Sequence, residues 1–171
     1  MAFRLSSPTF ADEGPIPASC TCDGRDEPPV LKWSGTPRGT QSFALIVDDP
    51  DAPDPAAATR VWVHWVAYNI PADVSAIPEG AKAGGLPEGS LDGVNDFRRT
   101  GYSGPCPPTG RHRYYFKVYA LDTTLADLKR PTKAKLLEAM MDHVLASGEL
   151  IGTYEKKAKG GSKASRTSAR R

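Results

Sequence analysis

The sequence predicts a mainly β, single-domain protein, and three observations carry that reading. Its 171 residues include 16 glycines and 16 prolines, too many for a helical bundle and spaced so as to cut the chain into short segments. Three stretches, 42–48, 61–70 and 112–121, are aromatic and β-branched runs of strand length. Only one stretch, 132–146, repeats its apolar residues at helical spacing. A chain of this length removes roughly 70% of its unfolded surface from water, enough for one core.

Residues 1–35 read as irregular edge strands and turns, interrupted by Pro8, Pro15, Pro17, Pro28 and Pro29. Leu31-Lys-Trp33 is a candidate short strand with Trp33 turned inward. Ser42-Phe-Ala-Leu-Ile-Val-Asp48 is a continuous apolar run, as expected of a central strand covered on both faces. Asp49-Pro-Asp-Ala-Pro53 then reads as a turn whose carboxylates bond local backbone N–H groups. The next strand, Val61 to Ile70, is stopped by Pro71. Strict alternation puts Val61, Val63, Trp65 and Ala67 on one face and Trp62, His64, Val66 and Tyr68 on the other. Residues 72–100 form a long turn-rich excursion, a length that in compact domains usually serves a function.

The central segment is Gly101-Tyr-Ser-Gly-Pro-Cys-Pro-Pro-Thr-Gly-Arg-His-Arg-Tyr114. Its prolines fix φ and remove donors, so the loop is stiff and extended. The strand that follows places His112 and Tyr114 two residues apart on one face. Thr132 to Ala146 then reads as an amphipathic helix, with Leu136, Met140 and Val144 at i, i+4 and i+8, Thr132 as N-cap and Gly148 as stop. A last strand, Glu149 to Tyr154, completes a domain of residues 1–155 with a single core.

Seven of the 22 basic residues and none of the 20 acidic ones lie in 156–171, leaving residues 1–155 with 15 basic and 20 acidic residues, a net charge of −5. The tail is expected to be a basic, disordered segment suited to weak, salt-sensitive binding to acidic surfaces. No apolar run approaches the ~20 residues of a membrane span, and the first residues lack the apolar stretch of a signal peptide, so a cytoplasmic protein is expected. Three cysteines, Cys20, Cys22 and Cys106, offer neither a CxxC pair nor a metal-ligand spacing. The expectation is free thiols in a reducing compartment.

The spaced motifs Asp49-Pro-Asp-Ala-Pro53, Trp62-Val-His-Trp65 and Gly104-Pro-Cys-Pro-Pro-Thr-Gly-Arg-His-Arg-Tyr114 together resemble the phosphatidylethanolamine-binding protein family. The likeness is to its bacterial and archaeal branch, often called Raf-kinase-inhibitor-like proteins. It extends to Cys22-Asp-Gly24, Asn95-Asp96, Tyr119-Ala-Leu-Asp122 and His143-Val-Leu-Ala146. The resemblance implies a large central antiparallel sheet, a smaller flanking sheet and a C-terminal helix. It also implies a surface pocket for phosphate or a phospholipid head group, lined by Asp49, His64, His112 and Tyr114 with Gly104 and Pro105 as its rigid wall, and no cofactor. Where some members carry a tyrosine or a charged residue just before the Trp-x-His strand, this chain reads Ala58-Thr-Arg60-Val61, without the phenol.

The residues themselves agree with an anion site, since two imidazoles and a phenol can donate to phosphate oxygens. Asp49 would repel an anion unless it accepts from an imidazole and keeps that ring cationic, or faces the ammonium of phosphoethanolamine. Binding is then expected to strengthen as pH falls through the histidine range. Three other readings compete. Two histidines and an aspartate can form a metal facial triad for Fe(II) or Zn(II). Ser103 or Cys106 could serve a hydrolase, although neither sits in a nucleophile elbow. The surface of residues 72–100 could inhibit a kinase or protease, although no motif identifies a docking site. Apolar residues around that excursion also raise the option of a homodimer.

Overall fold

The three apolar runs become the three central strands. Residues 2–81 and 85–156 are described in the computed structural model. In chain order the elements are β1 (Arg4–Ser6), β2 (Gly14–Pro15), β3 (Leu31–Ser34), β4 (Ser42–Ala52), β5 (Arg60–Pro71), β6 (Ala76–Ile77), β7 (Leu91–Asp92), β8 (Arg111–Leu121), α1 (Lys133–Met140) and β9 (Val144–Glu155). The large sheet runs β2-β9-β8-β4-β5-β7 and the small one β1-β3-β6. The only parallel pairing in these sheets is the two-residue contact of β2 with β9, so the large sheet is mixed rather than purely antiparallel. The basic tail expected at 156–171 lies outside the described residues from 157 onward.

Strand β4 sits in the middle because it is apolar on both faces. Phe43, Leu45 and Val47 point toward the small sheet and meet Trp33, Leu31 and Ile77. Ala44 and Ile46 point the other way, toward Leu136 and Met140 of α1. The core is therefore two clusters, one on each face of the large sheet, where the sequence suggested one. Burial of each such Leu or Phe side chain contributes roughly 1.5–3 kcal/mol.

Three local expectations change. The helix stops at Met140, because Asp142 turns left-handed at φ 71° and His143 N–H closes back on the Met140 carbonyl. Val144 to Ser147 instead extend β9, pairing with Leu121 to Tyr119 of β8. Backbone pairing along a long strand outweighs the i, i+4 apolar pattern, and Val144 and Leu145 are left exposed. Asp49 to Ala52 are likewise strand rather than turn, although the Asp51 N–H does bond the Asp49 carboxylate at 2.7 Å. The third change is covalent: Cys22 and Cys106 form a disulfide, with their Cα atoms 5.4 Å apart, and only Cys20 is a free thiol. A separation of 84 residues hid this pairing, because only the fold brings the two loops together. Cys106 is thus neither a free thiol nor a nucleophile, and the thiol argument for a reducing compartment falls away. No helix among the described residues is long and apolar enough to cross a membrane.

Candidate functional site

A β-bulge builds the first wall. Val47 of β4 faces Trp65 of β5, yet the next residue, Asp48, faces Val63, so His64 is an extra residue in the ladder. Its carbonyl accepts instead from the Ser103 N–H at 3.0 Å. The bulge breaks the alternation expected for this strand. His64 and Trp65 both turn toward the core face that holds Tyr114, while Val63 joins Val66 and Tyr68 on the other face. His64 Nδ1 donates to the Ser103 carbonyl at 2.6 Å, which leaves Nε2 with its lone pair. Burial pushes the His64 pKa down to about 4, so the ring is neutral throughout the ordinary histidine range.

Strand β8 supplies the second wall. His112 and Tyr114 share a face as alternation requires, their rings stacked with centroids 6.3 Å apart. His112 Nδ1 lies 2.6 Å from Asp49 Oδ2, and Nε2 lies 2.9 Å from the Thr109 carbonyl oxygen. A carbonyl only accepts, so Nε2 carries a hydrogen, and one further proton is shared between Nδ1 and the carboxylate. Burial raises the Asp49 pKa against the lowering effect of the bonds from His112 and the Asp51 backbone. Asp51 itself clamps Arg113, accepting from Nη2 at 2.8 Å and Nε at 3.0 Å, and its pKa is lowered by that partner.

Between these walls lies a cavity of about 200 Å³. Asp49, His64, His112 and Tyr114 all line it, joined by Trp62 and Phe97. Phe97 packs edge-on against both Trp62 and His64, at 5.4 and 5.3 Å between centroids. Two buried donors, Tyr114 Oη and Trp62 Nε1, have no hydrogen-bond partner among the described residues. Burial holds the Tyr114 phenol far above its ordinary pKa, so it remains a donor. Arg60 stacks over the Trp62 ring at 4.5 Å and adds a cation beside it.

The proline loop closes the site, shifted by two residues from the expectation. Cys106, Pro107 and Pro108 line the cavity, whereas Gly104 and Pro105 do not. Gly104 packs against the segment around residue 20. A Cβ there would collide with the Cys20 carbonyl, and its N–H donates to Asp26 at 2.8 Å. The Pro105 carbonyl accepts from the Cys22 N–H at 3.1 Å. These two residues anchor the loop from behind.

Several groups given no site role by the sequence reading also shape the site. Asn95 is buried and bonds the Phe97 N–H, the Gly101 carbonyl and Ser103 Oγ, folding the 95–103 loop over His64. Asp96 accepts from the Val63 N–H at 2.7 Å and fixes the strand beside the bulge. Trp62 entered the sequence reading only as a strand residue and as part of the Trp62-Val-His-Trp65 motif, and Phe97 not at all. The one available signal was an Asn-Asp pair within a turn-rich excursion.

This is a β-sheet binding domain with a small, largely apolar cavity where the bulge of β5, the start of β8 and a proline-rich loop meet. Comparison with known proteins gives the family. The model for "Phosphatidylethanolamine-binding protein" matches residues 6–155, and the chain belongs to that family. A UPF0098 protein of Methanothermobacter thermautotrophicus is 48% identical over 154 residues, spanning 90% of this chain and 99% of that one. The crystal structure of a phosphatidylethanolamine-binding protein homologue from Chlamydia trachomatis superposes with a TM-score of 0.82 at 42% identity, covering 91% of this chain and 99% of that one. E. coli YbcL does so with 0.83 at 36%, covering 92% and 100%.

Proposed function

We propose that the cavity binds a small phosphate-bearing group, either free or as the head group of a phospholipid, and that the protein is a binding protein rather than an enzyme. The observation that carries this is that Tyr114 and Trp62, whose buried Oη and Nε1 have no hydrogen-bond partner among the described residues, both line one small cavity. A buried donor without a partner costs about 1–3 kcal/mol, which a bound anion recovers. The family's description, a phosphatidylethanolamine-binding protein, points the same way.

The carboxylate of Asp49 does not oppose this reading, because one oxygen accepts from the Asp51 N–H and the other from His112. Neutral His64 accepts through Nε2, so it favours a ligand with its own donor, a P–O–H or an ammonium. Binding of a phosphomonoester should weaken as pH rises through its second pKa, near 6, because the P–O–H is lost. The direction matches the sequence expectation, but the titrating group is the ligand. Other chemistries have little purchase. Both ring nitrogens of His112 serve protein acceptors, so a metal would have to break that chain, and Ser103 Oγ is held by Asn95.

The test is calorimetric titration with O-phosphoethanolamine in EDTA near pH 6, for the wild type and Tyr114→Phe. The variant should bind roughly ten- to a hundredfold more weakly, a hydrogen bond to a charged group being involved, while melting no lower than the wild type. Unchanged affinity, or binding that needs Zn(II) or Fe(II), overturns the proposal.

A further inference from the structure

Anion binding makes no use of the sulfur chemistry in the cavity wall. Cys106 lines the cavity and is half-buried between Pro105 and Pro107, while its partner Cys22 is exposed to solvent. The ammonium of Lys156 stands 3.6 Å from Cys22 Sγ and 3.8 Å from Cys106 Sγ. An adjacent cation stabilises a thiolate and makes it the better leaving group. Asp23, 3.3 Å from the same ammonium and bonded by Tyr154 Oη at 2.6 Å, orients Lys156 over the sulfurs.

The two loops do not depend on the bridge to stay together. The Cys22 N–H bonds the Pro105 carbonyl, the Gly104 N–H bonds Asp26, and Tyr102 Oη bonds the Cys20 carbonyl at 2.6 Å. With the S–S bond open, these contacts keep the sulfurs adjacent and ready to rejoin. Cys20 takes no part, being buried with its thiol pKa pushed up by that burial.

We propose that Cys22–Cys106 is a reversible thiol–disulfide exchange site for a small-molecule thiol. The thiolate attacks Sγ of Cys22, the more exposed of the two residues. The S–S bond breaks as the new mixed disulfide forms on Cys22, and the electron pair leaves with Cys106 as a thiolate beside Lys156. Attack of that thiolate back on Cys22 expels the small thiol and restores the bridge.

The test is incubation of the native full-length chain in reduced and oxidised glutathione at millimolar concentrations, quenched with acid and read by intact mass and peptide mapping. A single glutathione adduct on Cys22, an unmodified Cys20 and a protein that stays folded by circular dichroism are expected. Lys156→Gln should slow opening roughly threefold, with Lys156→Arg restoring it, because the cation that favours departure of the Cys106 thiolate is removed and then replaced. A bridge that resists glutathione in the folded protein, an adduct on Cys106, or a rate unchanged in Lys156→Gln overturns the proposal.

Discussion

Two histidine–carboxylate pairs stand at opposite ends of strand β8. His112 and Asp49 meet at 2.6 Å with side chains 1% and 4% exposed, and His143 and Asp122 meet at 2.8 Å with side chains 42% and 44% exposed. The contact chemistry is the same and the distances nearly so. The difference is dielectric. In the buried pair each ring nitrogen and each carboxylate oxygen has a protein partner, in Thr109, Asp51 or the facing side chain. Water can serve the exposed pair equally well. A short ion-pair distance therefore says little by itself, and the completeness of the surrounding bonds separates a structural pair in a site from a surface one.

Removing the carboxylates should break the comparison most sharply. Asp49→Ala strands a buried imidazole and the Asp51 N–H, and should cost about 3–5 kcal/mol in urea denaturation. Equal effects for Asp49→Ala and Asp122→Ala would dissolve the distinction.

Acid sharpens the point through a third histidine. Burial depresses the His64 pKa to about 4, against 6.5 when unfolded, so the folded state excludes a proton between those values. Stability from this source is complete above pH 6.5 and lost as pH falls toward 4, by about 3 kcal/mol in all. Asp49, its pKa raised by burial, works in the opposite sense near the lower end and offsets part of the loss. Urea midpoints measured across this range should fall with pH, and the fall should flatten in His64→Gln.

At the small end, Asp122→Ala should change stability by no more than about 1 kcal/mol, and raised salt should shrink even that. Thermal melts at two ionic strengths measure it.

Much of the fold was legible because its strands announce themselves locally. The runs at 42–48, 61–70 and 112–121 are apolar enough to be central, and Thr132 caps its helix through the Lys135 N–H as its position predicts. Asp49, His64, His112 and Tyr114 came together as a set through the family resemblance, whereas the residues alone marked only the His112 and Tyr114 pair at the loop–strand junction and read Asp49 as a turn residue. The errors share one cause. The faces of β5 were misread because a bulge at His64 is held by Ser103, 39 residues away. The helix was drawn too long because the pull on Val144 comes from β8, which no local pattern contains.

Alternation, propensity and proline stiffness act over a few residues, and they were enough for the mainly β class, the three central strands and the helix start, while the residues that crowd one cavity were legible only through the resemblance of spaced motifs to a family. It took the packed molecule to show that His64 presents a lone pair, that Trp62 and Tyr114 keep donors unpartnered among the described residues, that Pro107 and Pro108 form the wall, and that Cys22 is joined to Cys106 beside Lys156. Each of these depends on which groups meet across long sequence separations and how completely water is removed between them. Hydrogen-bond completeness and burial are properties of the packed molecule and have no counterpart in a short stretch of chain.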